Sequence, residues 1–134
     1  MCLIAIAHRV HPQFPLVVAA NRDEFYARPT TQAEFWDDQP SILAGRDLEG
    51  MGTWLGVSKS GRFAAVTNFR DPADARTSAE SRGTLVSRFL ASTEPVAVFI
   101  DEVAANAGAY DGFNLRAGAG RGLCWYWTRA GRPR

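Results

Sequence analysis

With 134 residues, 46% of them apolar and 22% charged, the chain has the size and composition of one globular domain with a core of its own, unlike those of a disordered chain. A formal net charge of +1 gives no field with which to recruit nucleic acid or an anionic membrane surface. Two cysteines, Cys2 and Cys124, provide neither a disulfide framework nor a metal-ligand spacing, and no apolar run reaches membrane length, so a cytoplasmic protein without an integral membrane segment or a bound metal is expected.

The first element is a short apolar run over residues 2–7, closed at once by His8 and Arg9 and too short for a signal-peptide core. A second run covers residues 15–20, and His11, Pro12 and Pro15 mark the loop between them. Two strands joined this way pair antiparallel, which carries Asn21, Arg22, Asp23 and Glu24 back toward Cys2. If Met1 is removed, Cys2 holds a thiol and a free α-amine on one residue. With reference values of roughly 8.5 and 8, the amine can accept the thiol proton near neutral pH. The competing reading is a small buried hydrophobe at a strand start. The Asn-Arg-Asp-Glu cluster likewise reads either as a catalytic constellation or as a turn held by an arginine–carboxylate pair.

Residues 42–45 make a brief strand, and Gly50, Met51 and Gly52 a loop that needs unusual backbone angles. Residues 53–58 and 62–69 form a hairpin across Lys59, Ser60 and Gly61, with Asn68 at its exit. Residues 71–81 are polar without an apolar period and read as a loop. Leu85, Val86, Phe89 and Leu90 then place a helix over residues 83–91, and Thr93-Glu94-Pro95 starts another that runs to about Asn106. A last hairpin takes residues 112–117 and 123–128, leaving an arginine-bearing tail over 129–134. Strands, two helices and strands again indicate a single layered α+β domain. Trp54, Trp125 and Trp127 are strand aromatics, a residue type that fills cores more often than it lines pockets. Trp36 has no evident place. His8 and His11 have no third ligand nearby, which argues against a metal or haem site.

The ordered pieces Met1-Cys2-Leu3-Ile4, Asn21-Arg22-Asp23-Glu24-Phe25, Gly45-Arg46-Asp47-Leu48, Gly52-Thr53-Trp54-Leu55-Gly56, Thr67-Asn68-Phe69-Arg70, Ser81-Arg82-Gly83 and Gly112-Phe113-Asn114-Leu115 resemble the NRDE family, the transport and Golgi organisation protein 2 family. The likeness runs from the first residue to about Leu123. It implies an N-terminal-nucleophile-hydrolase-like αββα layered fold, of which this chain matches the first half. It further implies Cys2 as nucleophile, Arg22 and Asp23 as the residues holding its thiol and amine, and Asn68 as oxyanion donor. Asn21, Glu24 and Trp54 are then the substrate-facing candidates. The implied chemistry is hydrolysis of a small acylated amide without a cofactor. The alternative implied by the family is a non-catalytic carrier or organising protein that handles haem or lipid. Two positions depart from the family pattern, Met51 replacing a glycine and Thr128 falling where an asparagine belongs. Members of the family are usually considerably longer, and the later asparagine and arginine of such hydrolases have no counterpart in this chain.

Overall fold

A computed structural model describes residues 2–69 and 80–128. Most of the expected loop over residues 71–81, and the tail over 129–134, lie outside the described residues. Eight strands and two helices run in the order β1 (Leu3–His8), β2 (Leu16–Asn21), β3 (Thr30–Phe35), β4 (Ile42–Asp47), β5 (Leu55–Ser58), β6 (Arg62–Asn68), α1 (Gly83–Ala91), α2 (Val96–Ala105), β7 (Phe113–Ala119) and β8 (Gly122–Trp127). The architecture is α+β. β1 and β2 form a separate antiparallel ribbon, and β3 to β8 form one antiparallel sheet in sequence order.

The helices fall between β6 and β7, yet those strands are neighbours, paired from Arg62↔Ala119 to Asn68↔Phe113. Both helices therefore leave the sheet and return to the same place, packing over one face. α1 lies on β4, β5 and β6, and α2 on β7 and β8. The apolar period seen in the sequence is the reason: Leu85, Val86, Phe89 and Leu90 of α1 and Phe99, Ile100 and Val103 of α2 are buried. They meet Ile42, Ala44, Ala64, Val66, Phe113, Leu115, Ala117 and Tyr126 in one core. Strand alternation puts Phe63 and Ala65 on the opposite face, and both are buried as well. Phe63 shares a cavity of about 300 Å³ with Gly118 and Leu123 of the sheet and with His8 and Leu16 of the ribbon. The ribbon is thus what meets the sheet on the side away from the helices.

Two features differ from the sequence reading. β3 was not expected, because Thr30–Phe35 is polar and has five of its six residues exposed. It is an edge strand held by pairing with β4, and the register shift between Thr31 and Glu34 breaks the alternation that would have announced it. The strand tryptophans also divide. Trp125 and Trp127 are each 42% exposed on β8, whereas Tyr126 between them takes the core position. Trp36 now has a place: it is buried, its indole N–H donates to the Ala44 carbonyl at 3.0 Å, and the Arg46 guanidinium lies 4.2 Å from its ring. No helix among the described residues is long and apolar enough to cross a membrane.

Candidate functional site

Where β5 begins and β6 ends, the residues that leave β2 close over a cavity of about 100 Å³. Six of the seven site candidates line it: Cys2, Arg22, Asp23, Glu24, Trp54 and Asn68. The pairing Leu3↔Asn21, the last rung of the ribbon, is what brings the two ends together. The Cys2 sulfur accepts the Asp23 backbone N–H at 3.3 Å, and the thiol faces the Asp23 carbonyl at 3.8 Å.

Asn21, the seventh candidate, lies outside the cavity lining. Its Oδ1 accepts the Leu3 backbone N–H at 2.9 Å, which ties down the residue next to Cys2. It holds the residue next to Cys2 in place. Arg22 spreads its guanidinium over the Trp54 ring at 4.3 Å and reaches Glu24 at 3.7 Å. Glu24 in turn accepts the Phe25 N–H at 3.0 Å. Asn68 is exposed at the end of β6, and no hydrogen bond of its side chain is found among the described residues.

The sequence reading assigned no role to a second layer of the wall. Arg28 holds Asp47 through two hydrogen bonds, Nε to Oδ1 at 3.0 Å and Nη2 to Oδ2 at 2.7 Å, and its Nη1 lies 3.2 Å from Glu49. Both residues of the bidentate pair line the cavity. Ser81, Arg82 and Gly83, at the start of α1, form the opposite wall. Asp47 stands in one of the sequence blocks that carried the family resemblance, and that was the only signal available. The two residues stand 19 positions apart, and nothing between them announces their pairing.

Burial acts to raise the Asp47 carboxyl, but the Arg28 hydrogen bonds and the Glu49 and Gly50 backbone donors outweigh it and hold the group below the usual carboxylate value. Asp47 and Arg28 are then both charged in the folded state. A carboxylate with a depressed folded pKa contributes stability above the unfolded value of about 3.9 and loses it as pH falls through the lower folded value. The urea midpoint is expected to be steady near neutral pH and to fall below about pH 4, with a shallower acid slope in Asp47→Asn. An unchanged slope in that variant would mean that other carboxylates carry the acid sensitivity.

Among the described residues no group of three or more His, Cys, Asp or Glu side chains is arranged to hold a metal. His11 is engaged locally, its Nδ1 accepting the Gln13 and Phe14 backbone N–H groups at 3.2 and 3.3 Å.

The family model described as Transport and Golgi organisation 2 matches residues 1–132. The chain belongs to this family. A Transport and Golgi organization protein 2 homolog of Bos taurus is 39% identical over 144 residues, covering 98% of this chain and 52% of the relative. The homolog of Homo sapiens is 38% identical over 145 residues, with 99% and 52% covered. Transport and Golgi organization protein 2 of Drosophila melanogaster is 39% identical over 72 residues, 49% of this chain and 25% of the relative. The chain thus spans about half the length of its mammalian relatives in the Transport and Golgi organisation 2 family.

Proposed function

We propose that this cavity is the site of an N-terminal cysteine nucleophile that hydrolyses a small acylated amide, within an N-terminal-nucleophile-type layered fold. The observation that carries the reading is the seating of Cys2 against the Asp23 backbone in a cavity shared with Arg22, Trp54 and Asn68. Removal of Met1 would leave the Cys2 α-amine as the nearest base. It takes the thiol proton as sulfur attacks the amide carbonyl, and a carbon–sulfur bond forms. The negative charge that develops on the carbonyl oxygen is met by the Asn68 side-chain N–H, a donor worth about 3 kcal/mol to such an intermediate. Collapse breaks the carbon–nitrogen bond, and the protonated α-amine returns its proton to the leaving amine. Water then cleaves the thioester by the same exchange and restores the thiol.

Arg22 and Asp23 position the nucleophile in this scheme. The stacking of Arg22 on Trp54 fixes one wall, and the Asp23 backbone fixes sulfur. Space for only a few non-hydrogen atoms, with charged side chains around it, favours a short polar acyl group over a long apolar one.

The test is intact-mass analysis before and after an electrophilic thiol probe, with Cys2→Ala and Asn68→Ala alongside. The reading expects a chain without Met1, fast single labelling that vanishes in Cys2→Ala, and unchanged labelling in Asn68→Ala. Turnover of any amide found by screening is then expected to drop about 10²- to 10³-fold in Asn68→Ala. A retained Met1, or labelling no faster than that of an ordinary thiol, rejects the hydrolase and leaves the alternative reading of a non-catalytic carrier or organising protein.

A further inference from the structure

Three arginines line the cavity around Cys2, and they are held in different ways. Arg28 directs Nε and Nη2 to Asp47 and lies with Nη1 against Glu49. Arg82 donates from Nη1 to the Gly112 carbonyl at 3.2 Å. Arg22 instead lies over the Trp54 ring, its Cζ 4.3 Å from the centroid. A guanidinium over a ring is held by the attraction of its charge to the π-cloud, so its N–H groups stay available to donate. The ring beneath it is fixed. The indole rests on Gly45 of β4, where a Cβ would come within 2.8 Å of Trp54 Cη2, and it packs against the core.

The charged partner of Arg22 among the described residues is Glu24, with Nη2 and Oε2 3.7 Å apart, which is too long for a hydrogen bond. The other Glu24 oxygen accepts the Phe25 N–H. No hydrogen bond from the Arg22 guanidinium is found among the described residues, although its side chain is only 21% exposed. A charged group that has given up most of its hydration gains most from an acceptor of opposite charge, and a planar carboxylate matches the guanidinium fork. The position is suited to a substrate as well. The Asp23 N–H that bonds the Cys2 sulfur belongs to the Arg22–Asp23 peptide, so Arg22 springs from backbone in contact with the reacting atom.

We propose that Arg22 is the recognition residue for a carboxylate on the substrate, so that the amide cleaved at Cys2 carries this group within a few bonds of its carbonyl. As a statement about substrate this rests on the hydrolase reading. Half-amides of short dicarboxylic acids and N-acyl amino acids share the chemistry. In the first the carboxylate stays with the acyl part on sulfur, and in the second it departs with the amine.

The test compares alkylation of Cys2 by iodoacetate and by iodoacetamide, which differ only in carrying a carboxylate or an amide. Rates at neutral pH are read on the Cys2 peptide by mass spectrometry, in the full chain and in Arg22→Gln, Arg22→Lys and Glu24→Gln, with thermal unfolding as the control for folding. The ratio of the two rates cancels the reactivity of the thiol itself, so it is readable whether or not Met1 is removed. The iodoacetate-to-iodoacetamide ratio is expected to fall about tenfold in Arg22→Gln, the order of one charge-assisted hydrogen bond, to fall less in Arg22→Lys, and to rise in Glu24→Gln, which removes the competing carboxylate. Equal ratios in wild type and Arg22→Gln overturn the inference. So does an equal fall at Cys124, which would report the charge of the whole chain rather than the site. Should Arg22→Gln fail to fold, protection decides: succinate is expected to slow iodoacetamide labelling of wild-type Cys2 more than succinamide does, and equal effects overturn the inference. A flat ratio in a chain that lacks Met1 and labels fast rejects the carboxylate alone, whereas a retained Met1 with the ratio as expected rejects the hydrolase and keeps the carboxylate site. In an active chain, ammonia released from succinamate places the carboxylate on the acyl part, glycine released from N-acetylglycine places it on the leaving part, and faster cleavage of acetamide than of both overturns the substrate class.

Discussion

Arg62→Ala is expected to remove a large share of the stability of the domain. Arg62 opens β6, yet it is buried, with its guanidinium turned under the end of α1. Nε donates to the Phe89 carbonyl at 2.9 Å, and Nη2 to the Ser92 hydroxyl at 3.0 Å and the Glu94 carbonyl at 2.9 Å. The same group lies 3.9 Å from the centroid of the Phe89 ring, a fully buried side chain of the core. One side chain therefore joins the Ser92 N–H and hydroxyl in bonding the carbonyl end of a helix, places a cation at the negative end of its dipole, and fixes the turn that leads into α2. Burial lowers the Arg62 pKa, with Glu94 acting the other way. A guanidinium nonetheless stays charged at any working pH.

Hydrogen bonds from a charged group contribute about 1.5–3 kcal/mol each and are not additive, while buried acceptors left without a donor add their own desolvation penalty. A loss of about 3–5 kcal/mol is therefore expected, against a total of roughly 5–15 kcal/mol for a domain of this kind. Arg62→Met separates the contributions, because it keeps much of the stem volume and loses every donor. If the carbonyls dominate, the two variants fall together in urea denaturation. If packing against Phe89 dominates, the methionine variant recovers most of the loss. A midpoint within 0.5 kcal/mol of wild type for both, the range of ordinary surface changes, would show that the guanidinium bonds are exchanged for water at no net cost.

Arg62 also shows what sequence reasoning could and could not reach. An arginine opening a strand after Lys59-Ser60-Gly61 reads as a solvated residue, since its partners lie 27 to 32 positions away and no local period encodes them. The apolar strands and helices were legible because burial imposes a period that the side chains themselves display, and α1 matches its expected span of residues 83–91. β3 was not legible, because an edge strand is specified by its partner's backbone. The last hairpin was found but placed two residues short on its first strand, since Gly118 continues the pairing opposite Leu123 and the turn sits at Gly120 and Arg121.

At the candidate site the convergence of Cys2 with residues 21–24 follows from the antiparallel pairing of two short strands, which is a local inference. The Arg28–Asp47 pair and the wall from the start of α1 are tertiary. They exist because three loops meet, and composition gives no sign of such a meeting. Asn21 is the instructive case, since its residue type suited several roles and only the register shows that its side chain closes the last rung of the ribbon.

Gly52→Ala is the second substitution with a large expected effect, and it acts on that meeting of loops. A Cβ at position 52 would lie 2.4 Å from the Gly83 carbonyl carbon, 2.5 Å from its oxygen and 2.7 Å from the Thr84 nitrogen. All three are backbone atoms, so no side-chain rotation relieves the overlap, and either the loop before β5 or the first turn of α1 has to move. The contact is also bonded on both sides: Thr53 N–H donates to the Gly83 carbonyl at 3.2 Å, and Asp47 N–H to the Gly52 carbonyl at 2.9 Å. Overpacking in a closed site costs about 1–3 kcal/mol, and the loss of one or two buried hydrogen bonds adds about 1 kcal/mol each. A destabilisation of about 3 kcal/mol is expected in urea denaturation, from one methyl group.

Because Asp47, Thr53 and Gly83 all line the cavity, the displacement reaches the site. Folded Gly52→Ala protein is expected to label more slowly at Cys2 than wild type. Gly61→Ala is the control that isolates the steric cause. Gly61 has φ +78° and open space around its would-be Cβ, so only the left-handed backbone is strained, at a cost of about 1 kcal/mol and with no change in labelling. Gly52 has no such backbone strain, so a loss there no larger than at Gly61 would mean that the loop and the helix yield to the added methyl group. A Gly52→Ala protein with wild-type stability and labelling would show that the start of α1 yields freely, so that the cavity wall it forms cannot position a substrate.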